Sequence, residues 1–248
     1  MKSAEEIRIM DRANAIVHQV LGALEAALAP GVVLGDLDHM AHSLTLSAGA
    51  KPAFKGYHGY PASICISVND EVVHGIPGGR ALKQGDLVSL DFGVVFQGFY
   101  GDAARTCVVG SHDVEARRLM DVTRASLMKG IEQARPGNRV SDISHAVQAW
   151  VESHGFSVVR DYVGHGIGRA LHEDPQIPNF GEPGHGPRLQ PGMVLAIEPM
   201  VNEGSFEVTV DEDGWTVRTK DGLRSAHFEY SVAVTPSEPV ILGAGGTA

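Results

Sequence analysis

With 248 residues, 43% of them hydrophobic and 20% charged, the chain has an ordinary globular composition, and no apolar run approaches the roughly 18–20 residues of a membrane span. A formal net charge of −10 argues against the clustered Lys and Arg of a nucleic-acid footprint, and an acidic excess leaves carboxylates available for cations. Only Cys65 and Cys107 are present, too few for a disulfide framework or a cysteine zinc cage, and Met1-Lys2-Ser3-Ala4-Glu5-Glu6 carries no secretory signal, so a cytoplasmic protein with reduced thiols is expected.

Ile7, Met10, Ala13, Ile16, Val17, Val20, Leu21, Leu24 and Leu28 recur at three-and-four spacing, which predicts an amphipathic helix over residues 3–29 ended by Pro30-Gly31. A second helix is predicted over 36–48, and two more over 114–133 and 141–154 with Pro136-Gly137 between them. The same helix pair is therefore read twice.

Single residues repeat as well. Pro30, Gly31, Asp36, Leu37, His39 and Gly49 fall on Pro136, Gly137, Asp142, Ile143, His145 and Gly155 at a shift of 106. At a shift of 107, His58-Gly59 falls on His165-Gly166, and the segment from Gly85 to Asp91 falls on that from Gly192 to Glu198. This predicts an α+β fold of two duplicated helix-helix-strand halves, about 3–109 and 110–235, related by a pseudo-two-fold axis with a site between them. No Pro/Ser-rich linker separates the halves, so residues 1–248 are expected to form a single compact domain.

Residues 87–109 read as two strands around Gln97-Gly98. With a two-residue turn there, Phe96 pairs with Phe99 and Asp91 with Ala104, which leaves Asp102 on the same face as Asp91 and diagonal to it, about 7–8 Å away at the backbone. Two short carboxylates so placed are able to share a cation. Glu198 ends the apolar run Val194-Leu195-Ala196-Ile197, and Glu229 opens Tyr230-Ser231-Val232-Ala233-Val234, so both acids belong to burial-prone strands. Few Lys or Arg lie near them in sequence, and two divalent cations would balance four such acids. His165, flanked by Gly164 and Gly166, joins the set as an imidazole with room for close backbone approach.

One imidazole with four carboxylates suits Mn(II), Fe(II) or Co(II) and is unlike a structural zinc cage; such a metal pair clamps and deprotonates one water. His74 in His74-Gly75-Ile76-Pro77 and His172 in Leu171-His172-Glu173-Asp174-Pro175 lie in loop-like segments and are candidates to donate hydrogen bonds to a substrate amide or a developing oxyanion. His18, His42, His112 and His154 fall on presumed helices or their ends without companion ligands and receive no role.

The ordered set Asp91, Asp102, His165, Glu198 and Glu229, in these strand contexts, resembles the metal site of methionine aminopeptidases over about residues 3–235. The segments Gly56-Tyr57-His58-Gly59-Tyr60-Pro61, His74-Gly75-Ile76-Pro77, Gly164-His165-Gly166-Ile167-Gly168, His172-Glu173-Asp174-Pro175, Ile197-Glu198-Pro199-Met200 and Asp213-Gly214-Trp215 are similar to those of the short bacterial type I form. The resemblance implies the pita-bread fold around a dinuclear centre, and removal of the initiator methionine ahead of a small second residue by attack of a water held between two metal ions (Mn, Fe or Co). It implies that Asp102 and Glu229 bridge the metals, that Asp91 binds one of them through both oxygens, and that His165 and Glu198 complete the other, with Glu198 also managing the proton of the water. By the same likeness His74 and His172 contact substrate, and Tyr57, Tyr60, Cys65 and Trp215 wall the methionine pocket. Leu171, Ala196 and His227 depart from an aromatic, a threonine and a glutamine common at those places, which bears on pocket shape. The expected partners are N-terminal methionine peptides and nascent chains, with the ribosome as a docking candidate; a monomer without nucleic-acid specificity or membrane association is expected. Two alternatives are a proline-directed aminopeptidase of the same fold, which usually carries a further N-terminal domain, and a non-catalytic pita-bread binding protein, which generally lacks metal ligands that are all present here.

Overall fold

The computed structural model describes residues 1–111 and 113–245, and each predicted helix is present to within two residues at either end. Helix α1 (Ala4–Ala27) starts at a reciprocal cap, in which Ser3 Oγ accepts from the Glu6 N–H and the Glu6 carboxylate accepts from the Ser3 N–H at 2.7 Å. Helix α2 is Leu34–Ser47; α3 (Val114–Glu132) begins where Asp113 accepts from the Ala116 N–H at 2.7 Å, and α4 is Val140–Ser153. Among the described residues no helix is long and apolar enough to cross a membrane.

The strands in chain order are β1 (Lys51–Pro52), β2 (Cys65–Val68), β3 (Glu71–Val73), β4 (Leu87–Phe96), β5 (Phe99–Val108), β6 (Ser157–Val158), β7 (Gly164–Gly166), β8 (Glu173–Ile177), β9 (Val194–Ile197), β10 (Met200–Asn202), β11 (Val208–Val210), β12 (Val217–Thr219), β13 (Ser225–His227), β14 (Glu229–Ala233) and β15 (Val240–Ile241). The main sheet runs β1-β4-β5-β14-β9-β7-β8, with β2 also paired to β4 and β15 to β14, while β13-β10-β6 and β11-β12-β3 form two small sheets.

The two faces of the main sheet do different work because side chains alternate along each strand. Leu90, Phe92 and Val94 of β4 pack into one buried cluster with Ala13, Val17, Leu21 and Leu24 of α1 and Leu37 and Ala41 of α2. Leu195 and Ile197 of β9 and Val232 of β14 pack with Leu127 and Ile131 of α3 and Ile143 of α4. The intervening positions, Asp91, Asp102, Ala196 and Glu229 among them, therefore project from the face the helices leave open.

The duplication is written in the backbone. Gly31 N–H donates to Leu82 O and Gly137 N–H to Leu189 O; Leu34 N–H donates to Arg80 O and Val140 N–H to Pro187 O; Ala53 N–H donates to Gly93 O and Val159 N–H to Met200 O. Isolated bridges Val33–Ala81 and Arg139–Arg188 match in the same way. Each pair carries the shifts of 106 and 107 found in the sequence, so the two halves share local main-chain geometry as well as element order.

Candidate metal centre

The β4–β5 hairpin adopts the register expected of a two-residue turn: Phe96 pairs with Phe99, Asp91 with Ala104, and Gly93 with Asp102. Gln97 and Gly98 both have positive φ (50° and 82°), the conformation a tight turn between twisted strands requires. Pairing then extends across the sheet. Cys65 stands opposite Asp91, and Ala104 stands opposite Glu229 on β14. The pairing of Tyr230 with Ile197 brings Glu229 level with Glu198, one residue past β9. In the next row of the same face, Ser231 pairs with Ala196 and Ala196 with His165, and Ser231 Oγ donates to the Asp102 carbonyl at 2.9 Å. Five candidate ligands from β4, β5, β7, β14 and the end of β9 thus occupy two adjacent rows. The small residues Ala104, Ala196 and Ser231 between them leave space where larger side chains would fill it.

Close approach by His165 depends on its neighbours. A Cβ at Gly164 would collide with the Ala196 carbonyl, and one at Gly166 with the Asp174 carbonyl, so only glycines let β7 lie this near β9 and β8. The His165 Nδ1 is 2.9 Å from the Gly166 carbonyl, which only accepts; Nδ1 therefore carries the proton and Nε2 offers a lone pair, 3.5 Å from Glu198 Oε1.

One ligand atom each of Asp102, His165 and Glu229 lies within 4.8 Å of the other two. Asp102, Glu229 and His165 are buried, and Asp91 Oδ1, Asp102 Oδ1 and Glu229 Oε1 have no hydrogen-bond partner. Burial pushes all four carboxyls up, Asp91 to about 7 and Glu198 to about 8, and the mutual repulsion of the acids adds to the effect at Asp91, Asp102 and Glu229. Orphaned oxygens gathered on one spot are costly without a counter-charge, and divalent cations provide one. Hard oxygen donors with one imidazole fit such ions, and the residues present fit a metal centre of that kind.

A cavity of about 260 Å³ opens onto these ligands, lined by Asp91, Asp102, His165, Glu198 and Glu229 and also by Tyr57, Tyr60, Cys65, His74, His172 and Trp215. Every residue assigned to the metal or substrate from the sequence therefore faces one space. Tyr60 is buried, its hydroxyl donating to the Gly75 carbonyl at 2.8 Å, and its ring meets Trp215 edge-on at 5.1 Å. Trp215 is held in turn by Asp213, whose Oδ1 accepts from the N–H groups of Trp215 and Thr216 at 2.8 Å. Tyr57 OH lies 2.7 Å from His172 Nδ1, and the His172 ring packs edge-on against His165. Burial lowers His74 to about 4, so its ring is neutral at neutral pH.

Phe54, His58 and Leu171 also line the cavity; the sequence reading placed Leu171 at the pocket as a departure bearing on its shape and gave Phe54 and His58 no role. The clues were there: Phe54 lies two residues before the Gly56-Tyr57 segment, and the repeat sets His58 on His165. His227 is fully buried with Nε2 3.6 Å from Glu198 Oε2, so the departure at this position lies beside a ligand. Other histidines serve packing: His18 bonds the Leu242 carbonyl at 3.1 Å, His42 the Ser63 hydroxyl at 3.0 Å and His154 the Trp150 carbonyl at 2.7 Å. His112 lies outside the described residues. Cys65 and Cys107 are both free and buried.

The fold and the acid-rich centre are those of a metallopeptidase, and the chain belongs to metallopeptidase family M24, which it matches over residues 8–236. Within the family its full-length likeness is to bacterial methionine aminopeptidases. It is 53% identical to the methionine aminopeptidase of Clostridium perfringens, over 98% of this chain and 97% of that one, and 52% identical to methionine aminopeptidase 1 of Bacillus subtilis, over 94% of each. The crystal structure of the Thermotoga maritima methionine aminopeptidase superposes with a TM-score of 0.96 at 49% identity, covering 98% of both chains. A prolidase from Pyrococcus furiosus shares the pita-bread fold at a TM-score of 0.81 and 24% identity, this chain spanning 66% of it.

Proposed function

We propose that the protein removes the initiator methionine from new polypeptides whose second residue is small, using two divalent metal ions. The observation that carries this reading is the convergence of orphaned carboxylate oxygens from Asp91, Asp102 and Glu229 on the floor of a cavity walled by Tyr57, Tyr60, Cys65 and Trp215. In this cavity of about 260 Å³ the aromatic and thiol walls suit an unbranched thioether, and the acidic floor suits a free α-amino group.

In this reading Asp91, Asp102, His165, Glu198 and Glu229 would hold the cations, with Asp102 and Glu229 as the residues that would be shared between them. Mn, Fe or Co in these positions supplies a Lewis acid and makes water a nucleophile at neutral pH. Glu198, ionised once it binds a cation, would take the proton of the attacking water and deliver it to the departing amine. The neutral His74 donates an N–H to the scissile amide. His172, whose Nδ1 lies 2.7 Å from the Tyr57 hydroxyl, presents Nε2–H to the substrate carbonyl when that hydroxyl donates. Trp215 and Tyr60, locked edge to face, hold the methionine side chain. The chain acts as one catalytic domain, residues 1–248, with its halves at about 3–109 and 110–235, as a monomer in the cytoplasm meeting nascent chains at the ribosome.

The test is kcat/KM on tripeptides varied at positions one and two. Met-Ala, Met-Gly and Met-Ser peptides are expected to turn over, with Met-Phe, Met-Lys and N-formylated peptides slower by about 100-fold or more, the scale of losing a well-fitted pocket contact. Faster release of alanine, or of the residue before a proline, would overturn the assignment in favour of a proline-directed peptidase.

A further inference from the structure

One wall of the cavity rests on a missing Cβ. Gly93 lies two residues beyond Asp91 on β4, on the same face, opposite Asp102. Its backbone carbonyl accepts from the Ala53 N–H at 2.9 Å, which fixes the chain just before Phe54. The Phe54 ring then rests against the bare strand: a Cβ on Gly93 would stand 2.7 Å from Phe54 Cε1, 3.2 Å from its Cζ and 3.2 Å from the Ala53 Cβ. Phe54 is 8% exposed and lines the cavity. Because Ala53 is pinned to β4, a ring displaced from that strand has the cavity as its free space.

We propose that Gly93 is a specificity-determining residue, the vacant Cβ position that seats Phe54 and thereby sets how long a first side chain the pocket admits. The inference rests on the aminopeptidase reading above. Phe54 and Leu171 act together in it: both are buried in one cluster with Tyr60, Ala62 and Cys65, so bulk gained on one wall is not relieved by the other. Gly93 has no positive φ, so an alanine there meets a packing conflict and no backbone strain.

The experiment measures kcat/KM for Gly93→Ala, Phe54→Leu and the double variant on Xaa-Ala-Ser peptides in which Xaa is norvaline, methionine, norleucine or ethionine, with metal content determined for each protein. Gly93→Ala is expected to lower kcat/KM for methionine by about 10-fold or more, the worth of a methylene in a tight pocket, mainly through KM, and to cost norvaline less. Phe54→Leu alone is expected to improve ethionine relative to methionine, and the double variant to recover the wild-type preference for methionine. Equal losses on all four side chains, or a double variant no better than Gly93→Ala at unchanged metal content, would overturn the proposal. Calorimetric binding of free L-methionine and L-norvaline reads the same pocket without turnover. If the wild type cleaves no methionine peptide, the functional reading falls, while a shift in that affinity ratio on Gly93→Ala still upholds the pocket assignment and an unshifted ratio rejects it.

Discussion

Nε2 of His227 lies 3.6 Å from Oε2 of Glu198, and neither ring nitrogen of this buried histidine has a hydrogen-bond partner. The backbone leaves it little choice of place, since the His227 N–H donates to Thr106 Oγ1 at 2.8 Å. A small rotation lets an imidazole N–H bond the carboxylate that faces His165 on its other side. His227→Gln keeps an N–H donor and is expected to retain most activity. His227→Ala is expected to lose about 10- to 100-fold in kcat/KM, the scale of a hydrogen bond to a charged group. Indistinguishable Gln and Ala variants would show that His227 only fills space.

Removal of the cations is expected to abolish peptidase activity, and added Mn(II), Fe(II) or Co(II) to restore it, because the acids of the site have no other means of activating water at neutral pH. Titrating the chelated protein with each ion and following hydrolysis of a methionine tripeptide makes the measurement; full activity in excess chelator contradicts the mechanism.

Asp102→Asn and Glu229→Gln are expected to cost more than 10³-fold in kcat and to lower the bound-metal ratio. His74→Ala, which removes one donor, is expected to cost roughly 10²–10³-fold with metal content unchanged. Metal analysis beside the kinetics separates the two classes, and equal metal loss in all three variants would move His74 into the ligand set.

Stability of the metal-free protein should depend on pH in a direction opposite to that of a salt-bridged acid. Burial holds Asp91 at about 7 and Glu198 at about 8, above the ordinary carboxylate values, so the folded chain keeps protons the unfolded chain has already released. The stability this confers is complete below pH about 4 and is lost as pH rises through 7 to 8. Chelated protein is therefore expected to melt at a lower temperature at pH 8 than at pH 5, with metal-loaded protein protected at pH 8. A chelated protein that gains stability over that interval would show the carboxyls to be ionised without cations.

Much of this centre was readable in the chain because its geometry is local or repeated. A two-residue turn at Gln97-Gly98 determines the Asp91–Ala104 pairing by counting, and the observed register agrees with the count. His165 and Glu198 became visible through their flanking glycines and through the repeat that sets Glu198 on Asp91. What stayed hidden depends on contacts between segments far apart in sequence. That Ala104 faces Glu229, or that Ser231 and Ala196 form the small-residue row leading from Asp102 to His165, follows from strand order, which no local periodicity encodes. Phe54 escaped notice for the same reason: its importance lies in the absence of a side chain 39 positions later, at Gly93.

The matched hydrogen bonds that echo between the halves divide the active site unevenly. Asp91 and Asp102 belong to the first half, while His165, Glu198 and Glu229 belong to the second, so neither half alone holds the full set of candidate ligands. A solitary half would bring two acids with nothing to share, or an imidazole and two acids lacking their opposite numbers. Chemistry in this architecture begins at a seam, and only where two similar pieces meet face to face does either acquire a use for its buried charge.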